Sequence, residues 1–271
     1  MSDKPVELDG KPVRSVSQYN DWVQCGYAYY LKRVKKLPGL KAAWFAQGIG
    51  VHAGIQSYEE SGRTLDVYDV VQIGTDEYDS RIEYDEAIEP NLSRWLTGGR
   101  VKGADDIERR RGEVERQLIE YVTTFKPNDP LRPIELYEGE YGVEIPFRLE
   151  FDEFDIVGYV DQVLSYENGS LMIRDVKAGS RQPSSDIQLG VYGVGMTELL
   201  GQSVLWGDYI MTKNNVVLQA RLLTRYDRPT IEKLFKSLND AIASNVFLPN
   251  PSDACRVCTH STHCDFKKKS A

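Results

Sequence analysis

The chain has 271 residues and a formal net charge of −8, with 41% hydrophobic, 27% charged and 10% aromatic residues. That apolar content suffices for a sizeable core and excludes wholesale disorder, and the acidic balance excludes a protein that is basic all over, though not a local basic groove. No apolar run reaches the roughly 18 residues of a membrane span and the N-terminus shows no apolar leader, so a cytoplasmic protein with no membrane partner is expected.

Charge is unevenly spread. From Lys11 to Gly50 there are seven Lys/Arg and one acid, Asp21, whereas Val51 to Arg100 holds eleven acids and four Arg. A first helix is predicted from Ser15 or Ser17, either of which can cap it, through Leu31, and Pro38-Gly39 ends the segment. A second helix surrounds Phe45 to Tyr58. The acidic stretch from Asp66 to Glu89 reads as a solvated surface region, irregular around Asp69 to Pro90. A third helix runs from Asp105 to Phe125, with Ile107, Val114, Leu118, Val122 and Phe125 at helical spacing.

After Pro133 the period changes to two. Residues 141, 143, 145, 147, 149 and 151 are apolar or aromatic and alternate with polar residues or Pro146, the pattern of a half-buried strand. Strands near Phe154 to Tyr166 and Leu171 to Lys177 follow, joined by Glu167-Asn168-Gly169-Ser170, a hairpin signal. Ser184, Ser185 or Asp186 then caps a helix through Leu200. Strands at Val204 to Met211 and Val216 to Leu223 flank a Lys213-Asn214-Asn215 turn, and a helix from Thr230 to Asn245 leads into a cysteine-rich tail. The order implies an α/β fold with a helical N-terminal annex.

The chemistry sits in Gly158-Tyr159-Val160-Asp161 and, fourteen residues on, Asp175-Val176-Lys177. Asp161 and Asp175 lie within apolar strand segments, where an unpaired carboxylate is costly. Two carboxylates brought together repel unless a cation sits between them, and oxygen-rich sites suit Mg²⁺ or Mn²⁺. Lys177 shares a strand face with Asp175 and could stabilise a phosphorane-like charge; an ordinary strand-edge ion pair is the competing reading. Hairpin length decides between them. A two-residue Asn168-Gly169 turn would put the aspartates on opposite faces, whereas a three-residue loop, 167 to 169 with left-handed Gly169, would set Asp161 opposite Asp175. Gln188 and Tyr192, four apart, share a helix face after the strand bearing Lys177. His52, one of three histidines, is a metal ligand or a hydrogen-bonded structural residue.

In order, His52 after a glycine, the GYVD ending at Asp161, the DVK of 175 to 177 and the Q-x-x-x-Y of Gln188 and Tyr192 resemble the RecB-like branch of the PD-(D/E)xK nuclease superfamily, phage-encoded members included. The resemblance spans Ser15 to Cys264. It implies a restriction-endonuclease-like mixed sheet core flanked by helices, in a single nuclease domain over 1–271, with an annex at 11–130, a core at 134–245 and a tail at 246–271. It implies that His52, Asp161, Asp175 and the Val176 carbonyl ligate Mg²⁺ or Mn²⁺, that Lys177 is the catalytic lysine, and that Gln188 and Tyr192 position DNA or water. Asp175 stands where many members have Glu. Glu144 could join the site, but alternation points it away from the apolar face of its strand.

Cys25, Cys255, Cys258 and Cys264 admit two metal readings. A local zinc site could use the three tail thiols with His260 or His263, or all four thiolates could hold an iron–sulfur cluster. AddB-type and CRISPR-associated (Cas-four) exonucleases share this cysteine pattern, and that resemblance implies a [4Fe–4S] cluster stapling the N-terminal helix to an iron–sulfur-binding C-terminal tail. Closure would draw Lys32, Arg33, Lys35 and Lys36 towards Arg256 and Lys267 to Lys269, a phosphate-binding surface or a solvated tail. Tyr27, Tyr29 and Tyr30 could stack on bases or belong to the core. The expected activity is metal-dependent exonuclease cleavage of DNA, chiefly single-stranded, with recombination, replication or CRISPR-adaptation proteins as partners. A non-cleaving DNA-binding adaptor and a zinc-stabilised endonuclease are the alternatives.

Overall fold

The structure, a computed structural model, describes residues 7, 8 and 10–267. The chain divides into two compact units, one formed by residues 1–40, 148–158 and 226–271 and the other by 41–147 and 159–225.

In the first unit, β1 (Glu7–Leu8) and β2 (Lys11–Arg14) form an antiparallel hairpin. Helix α1 (Val16–Gln24) begins where the Ser15 hydroxyl accepts from the Gln18 amide, the expected cap. The single helix expected through Leu31 is instead broken at Cys25, whose backbone is extended with φ −164°. A short α2 (Gly26–Tyr29) and a π-turn over Tyr30–Val34 follow. The break has a tertiary cause. The Tyr27 amide donates to the Leu248 carbonyl, and a Cβ at Gly26 would lie 2.9 Å from the Leu248 amide nitrogen. The chain bends to dock there, which no local helix period encodes.

The second unit opens with a layer of three helices, α3 (Ala43–Glu60), α4 (Val67–Ile88) and α5 (Gly103–Glu120). Helix α4 corrects the reading of Asp66 to Glu89 as irregular surface. Asp66 caps it by accepting from the Tyr68 and Asp69 amides, and Val70, Gly74, Tyr78 and Ile82 form its buried stripe. The four-residue spacing is regular, but Gly74 adds no apolar signal and the surrounding acids hide the rest. Asp85, buried in the last turn, is paired with Lys41 and Arg81. Helices α3 and α4 cross at glycines. A Cβ at Gly50 would collide with the Gly74 carbonyl, and one at Gly74 would come within 2.8 Å of the Gly50 carbonyl. Helix α5 ends in a π-turn at Tyr121–Phe125 rather than running on regularly.

Short strands β3 (Arg132–Pro133), β4 (Glu135–Tyr137) and β5 (Glu140–Tyr141) precede β6 (Val143–Glu150), β7 (Asp155–Ser165) and β8 (Leu171–Lys177). The strand expected from Tyr141 to Phe151 is interrupted at Gly142, whose amide donates to the Ile134 carbonyl, and β6 then keeps the alternation. Strands β3, β6 and β8 pair with β7, and β7 and β8 are antiparallel. Helix α6 (Ile187–Leu200) crosses over to β9 (Val204–Met211), which lies parallel to β8, so the sheet is mixed. The last expected strand is two fragments, β10 (Val216–Val217) and β11 (Arg221–Leu222), both antiparallel to β9. Six of the seven residues of β8 are buried, as in a strand covered on both faces. The architecture is the expected α/β fold with a mixed sheet flanked by helices. The first unit is completed by α7 (Arg228–Ala243), capped by Asp227, and by two 3₁₀ turns at Asp253–Val257 and Ser261–His263. No described helix is long and apolar enough to cross a membrane.

The α3–α4 crossing lies half a turn from His52. Gly50→Ala should therefore lower stability by about 1–3 kcal/mol in chemical denaturation, because the opposing Gly74 group is backbone and cannot rotate away. An unchanged midpoint would show that the crossing has slack.

Candidate active site

The hairpin between β7 and β8 takes the longer of the two expected forms. Gln162 pairs with Arg174 and Ser165 with Leu171, while the Tyr166 amide donates to the Ser170 carbonyl. Residues 167 to 169 form the loop, and Gly169 sits at φ +81°. One further step along the same register sets Asp161 beside Asp175. The Val176 amide then donates to Asp161 Oδ2 at 2.8 Å.

His52 reaches this point from α3. Its Nε2 donates to the Val176 carbonyl at 3.0 Å, which leaves Nδ1 facing Asp161 Oδ2 at 3.7 Å and Glu144 Oε1 at 4.0 Å. His52, Glu144 and Asp161 each offer a ligand atom within 4.8 Å of the others, the one such group among the described residues. Glu144, which alternation places opposite the apolar face of β6, is the third member of this group. Its backbone sits at φ +48°, in the left-handed region that non-glycine residues seldom enter. That departure falls one residue into β6, which still keeps its two-residue alternation of buried and more exposed positions. Strain of this kind concentrates at functional positions, but no local sequence signal marks it.

Asp175 is 1% exposed, and neither of its carboxylate oxygens makes a well-formed hydrogen bond. The Lys177 ammonium approaches Oδ2 at 2.6 Å as an ion pair and donates to Gln188 Oε1 at 3.0 Å. Gln188 in turn donates to the Tyr192 hydroxyl at 2.9 Å, and the Tyr192 ring meets Phe147 edge-on. Lys177, Gln188 and Tyr192 are therefore one connected row leading away from Asp175.

Crowded carboxylates control the protonation here. Burial raises Asp175, Asp161 adds to the rise, and Lys177 only partly offsets it, leaving Asp175 at about 7. Burial and Glu144 likewise raise Asp161 despite the opposing pull of His52 and Lys177. For His52, burial works against the charged ring, but Asp161, Glu144 and Asp175 outweigh it and lift it to about 9. Protons thus stand in for positive charge at this point. An imidazole nitrogen, three carboxylates and orphaned buried oxygens fit a hard divalent cation such as Mg²⁺ or Mn²⁺.

The four cysteines all belong to the first unit. The Cys258 thiol is pushed up by burial and then by the nearby Cys25, Cys264 and Cys255 thiols. No three of these sulfurs and the tail histidines gather within 4.8 Å of one another among the described residues. Backbone amides point at two sulfurs, from Asn250 to Cys25 at 3.4 Å and from Ser252 to Cys255 at 3.5 Å. Both ring nitrogens of His260 are engaged, by Thr259 and by the Leu37 carbonyl. Of the neighbouring basic residues, Lys32 and Arg33 are paired with Asp21; Lys268 and Lys269 lie outside the described residues. Tyr29 belongs to the core, while the half-buried Tyr27 and Tyr30 pack against Phe266 and Phe247.

The Gene 69 protein of Mycobacterium phage D29 is 30% identical over 262 residues, covering 93% of this chain and 96% of its own. The Gene 69 protein of Mycobacterium phage L5 is 30% identical over 282 residues, with the same coverage. A solved structure from Eubacterium rectale, provisionally assigned as an exonuclease, is 13% identical and covers 95% of this chain and 90% of its own, with a TM-score of 0.40. The family model of the PD-(D/E)XK nuclease superfamily matches residues 14–265, nearly the whole chain. By that match the chain belongs to the PD-(D/E)XK nuclease superfamily.

Proposed function

We propose that this chain is a divalent-metal-dependent deoxyribonuclease that hydrolyses phosphodiester bonds as an exonuclease, chiefly at single-stranded DNA ends. The observation that carries the reading is the convergence of His52, Glu144 and Asp161 beside Asp175 and Lys177. The residues that would hold Mg²⁺ or Mn²⁺ are His52, Glu144, Asp161 and Asp175, with the Val176 carbonyl as a further oxygen, and a cation there supplies an activated water and neutralises charge on the leaving oxygen. The chain's own residues do the rest. The Val176 carbonyl lies 3.0 Å from His52 Nε2 and orients the ring. Lys177 carries a positive charge towards the reacting phosphate, and Gln188, itself held by Tyr192, fixes where the ammonium points. Preference for ends and for single strands rests on the resemblance to RecB-like exonucleases. The phage origin of the relatives favours work in phage replication or recombination, beside other replication or recombination proteins, over CRISPR adaptation.

The same reading gives Cys25, Cys255, Cys258 and Cys264 to a [4Fe–4S] cluster that staples the first unit. In its favour are the cysteine spacing shared with the resembling exonucleases, the amide donors on the Cys25 and Cys255 sulfurs, and the engagement of His260, which weakens a zinc site built on that ring.

Three measurements test the proposal. On end-labelled linear DNA with Mn²⁺, Lys177→Ala and Asp175→Asn should each lose about 10²-fold or more in rate, and closed circular DNA should resist the wild type. A folded wild type inactive on every DNA would instead favour a binding adaptor. Metal affinity should depend on pH with a defined sign. His52 is raised above its ordinary 6.5, so its stabilising proton is held below 6.5 and lost as pH climbs through about 9. Asp175 is raised above 3.8, so its contribution falls between there and about 7. The metal-free protein should accordingly lose stability as pH rises through these windows. Mn²⁺ affinity should increase from pH 6 to 9, by about tenfold per unit for each proton displaced, as read by calorimetry in two buffers. Finally, anaerobically purified protein should carry about four irons and four sulfides by the [4Fe–4S] assignment, and Cys25→Ala should abolish both and lower the melting temperature; stoichiometric zinc instead would overturn the cluster.

A further inference from the structure

Single exposed apolar side chains are ordinary and need no explanation. Two exposed rings in this chain are placed differently, because each continues a face that leads to the candidate metal group. Phe45 is 46% exposed and precedes His52 on α3 by seven residues, two helical turns, so both stand on one side of the helix about 10 Å apart along its axis. Between them is Gly48, where an added Cβ would meet nothing within 4 Å, so the surface over that turn is open. The Phe45 ring is backed by Trp44, with centroids 5.7 Å apart, and the Arg110 guanidinium lies over the Trp44 ring at 5.5 Å. This backing restrains the aromatic pair.

On the sheet, Tyr159 is 47% exposed and precedes Asp161 by two residues on β7, so it shares the Asp161 face at about 7 Å along the strand. One exposed ring therefore stands on each of the two elements that deliver His52 and Asp161. Aromatic faces at such spacings suit bases that have left a duplex, since each base offers a π-face whatever its sequence. Paired and stacked bases have no face to offer.

From this arrangement we infer that Phe45 and Tyr159 are base-stacking platforms flanking the candidate cleavage site, and that they select single-stranded DNA by holding unpaired bases one or two nucleotides from the scissile phosphate. The inference rests on the nuclease reading for what lies between the rings, but stacking itself is read without cleavage.

The test measures binding of a fluorescent single-stranded oligonucleotide to the full chain, with Ca²⁺ replacing Mn²⁺ to prevent turnover. Phe45→Ala and Tyr159→Ala should each weaken single-strand binding about 5- to 100-fold, while affinity for a blunt, fully paired duplex moves less than twofold. Phe45→Trp and Tyr159→Phe should restore binding. Oligonucleotides with an abasic residue stepped along the strand should bind wild type more weakly at one position for each ring, and that defect should vanish in the matching alanine variant. Equal losses on single strands and duplex, or abasic and ring effects that simply add, would overturn the platforms. A chain that never cleaves DNA yet passes this test would sink the nuclease reading and leave the stacking sites standing.

Discussion

Too much negative charge in too little space governs this molecule. Glu144, Asp161 and Asp175 arrive from three strands at one point, and Asp175 is all but closed to solvent. Left alone, such a group would push its strands apart. The fold holds it together with the Lys177 ammonium on Asp175 and the His52 ring beside Asp161, whose charged form the surrounding carboxylates favour. The elements around the site follow from that need. Helix α3 is there to bring His52, α6 to bring Gln188 and Tyr192 to the lysine, and the Val176 peptide serves both sides, its amide on Asp161 and its carbonyl on His52.

Precision in this arrangement comes from close backbone approach. Gly50 and Gly74 let α3 and α4 touch without intervening side chains, two residues from His52. Behind the helices, Glu59 is fully buried, yet Arg63, Lys126 and the Tyr121 hydroxyl all engage its carboxylate. Burial pulls the Lys126 ammonium down to about 8. Removing one partner from such a set leaves a buried charge exposed to a low dielectric, so these residues act as a unit. Arg174 does the same on β8, bridging Asp208 and Asp129 on the strand that carries Asp175 and Lys177.

Much of this was legible in the residues alone. Strands β8 and β9 and helix α6 were readable because their apolar runs are bounded by turn residues, and the DVK lysine and its glutamine row follow from simple periodicity. The family was readable only as an ordered set, since each motif alone is compatible with an ion pair or a helix-surface hydrogen bond. Three features escaped. Helix α4 hid because its buried stripe passes through a glycine. The break at Cys25 was invisible because its cause, the Leu248 backbone, lies more than two hundred residues away. Glu144 was hard to place because it lies opposite the apolar face of β6, where a polar residue is ordinarily just solvated. At Cys25 a contact distant in sequence overrides the local helix period.

The turn between β7 and β8 carries a consequence beyond its own geometry. Residues 167 to 169 are surface-exposed and lie about 20 Å from the paired aspartates, six residues along either strand. Loops in such places ordinarily tolerate insertion and deletion. Here the number of residues in the turn fixes parity along the whole ladder, and a single codon lost would send Asp161 and Asp175 to opposite faces while sparing the hydrophobic core of β8, which is buried on both. The catalytic address is thus written in the length of a loop that touches none of the chemistry. Such a turn constrains its left-handed Gly169 and its count more than its other letters.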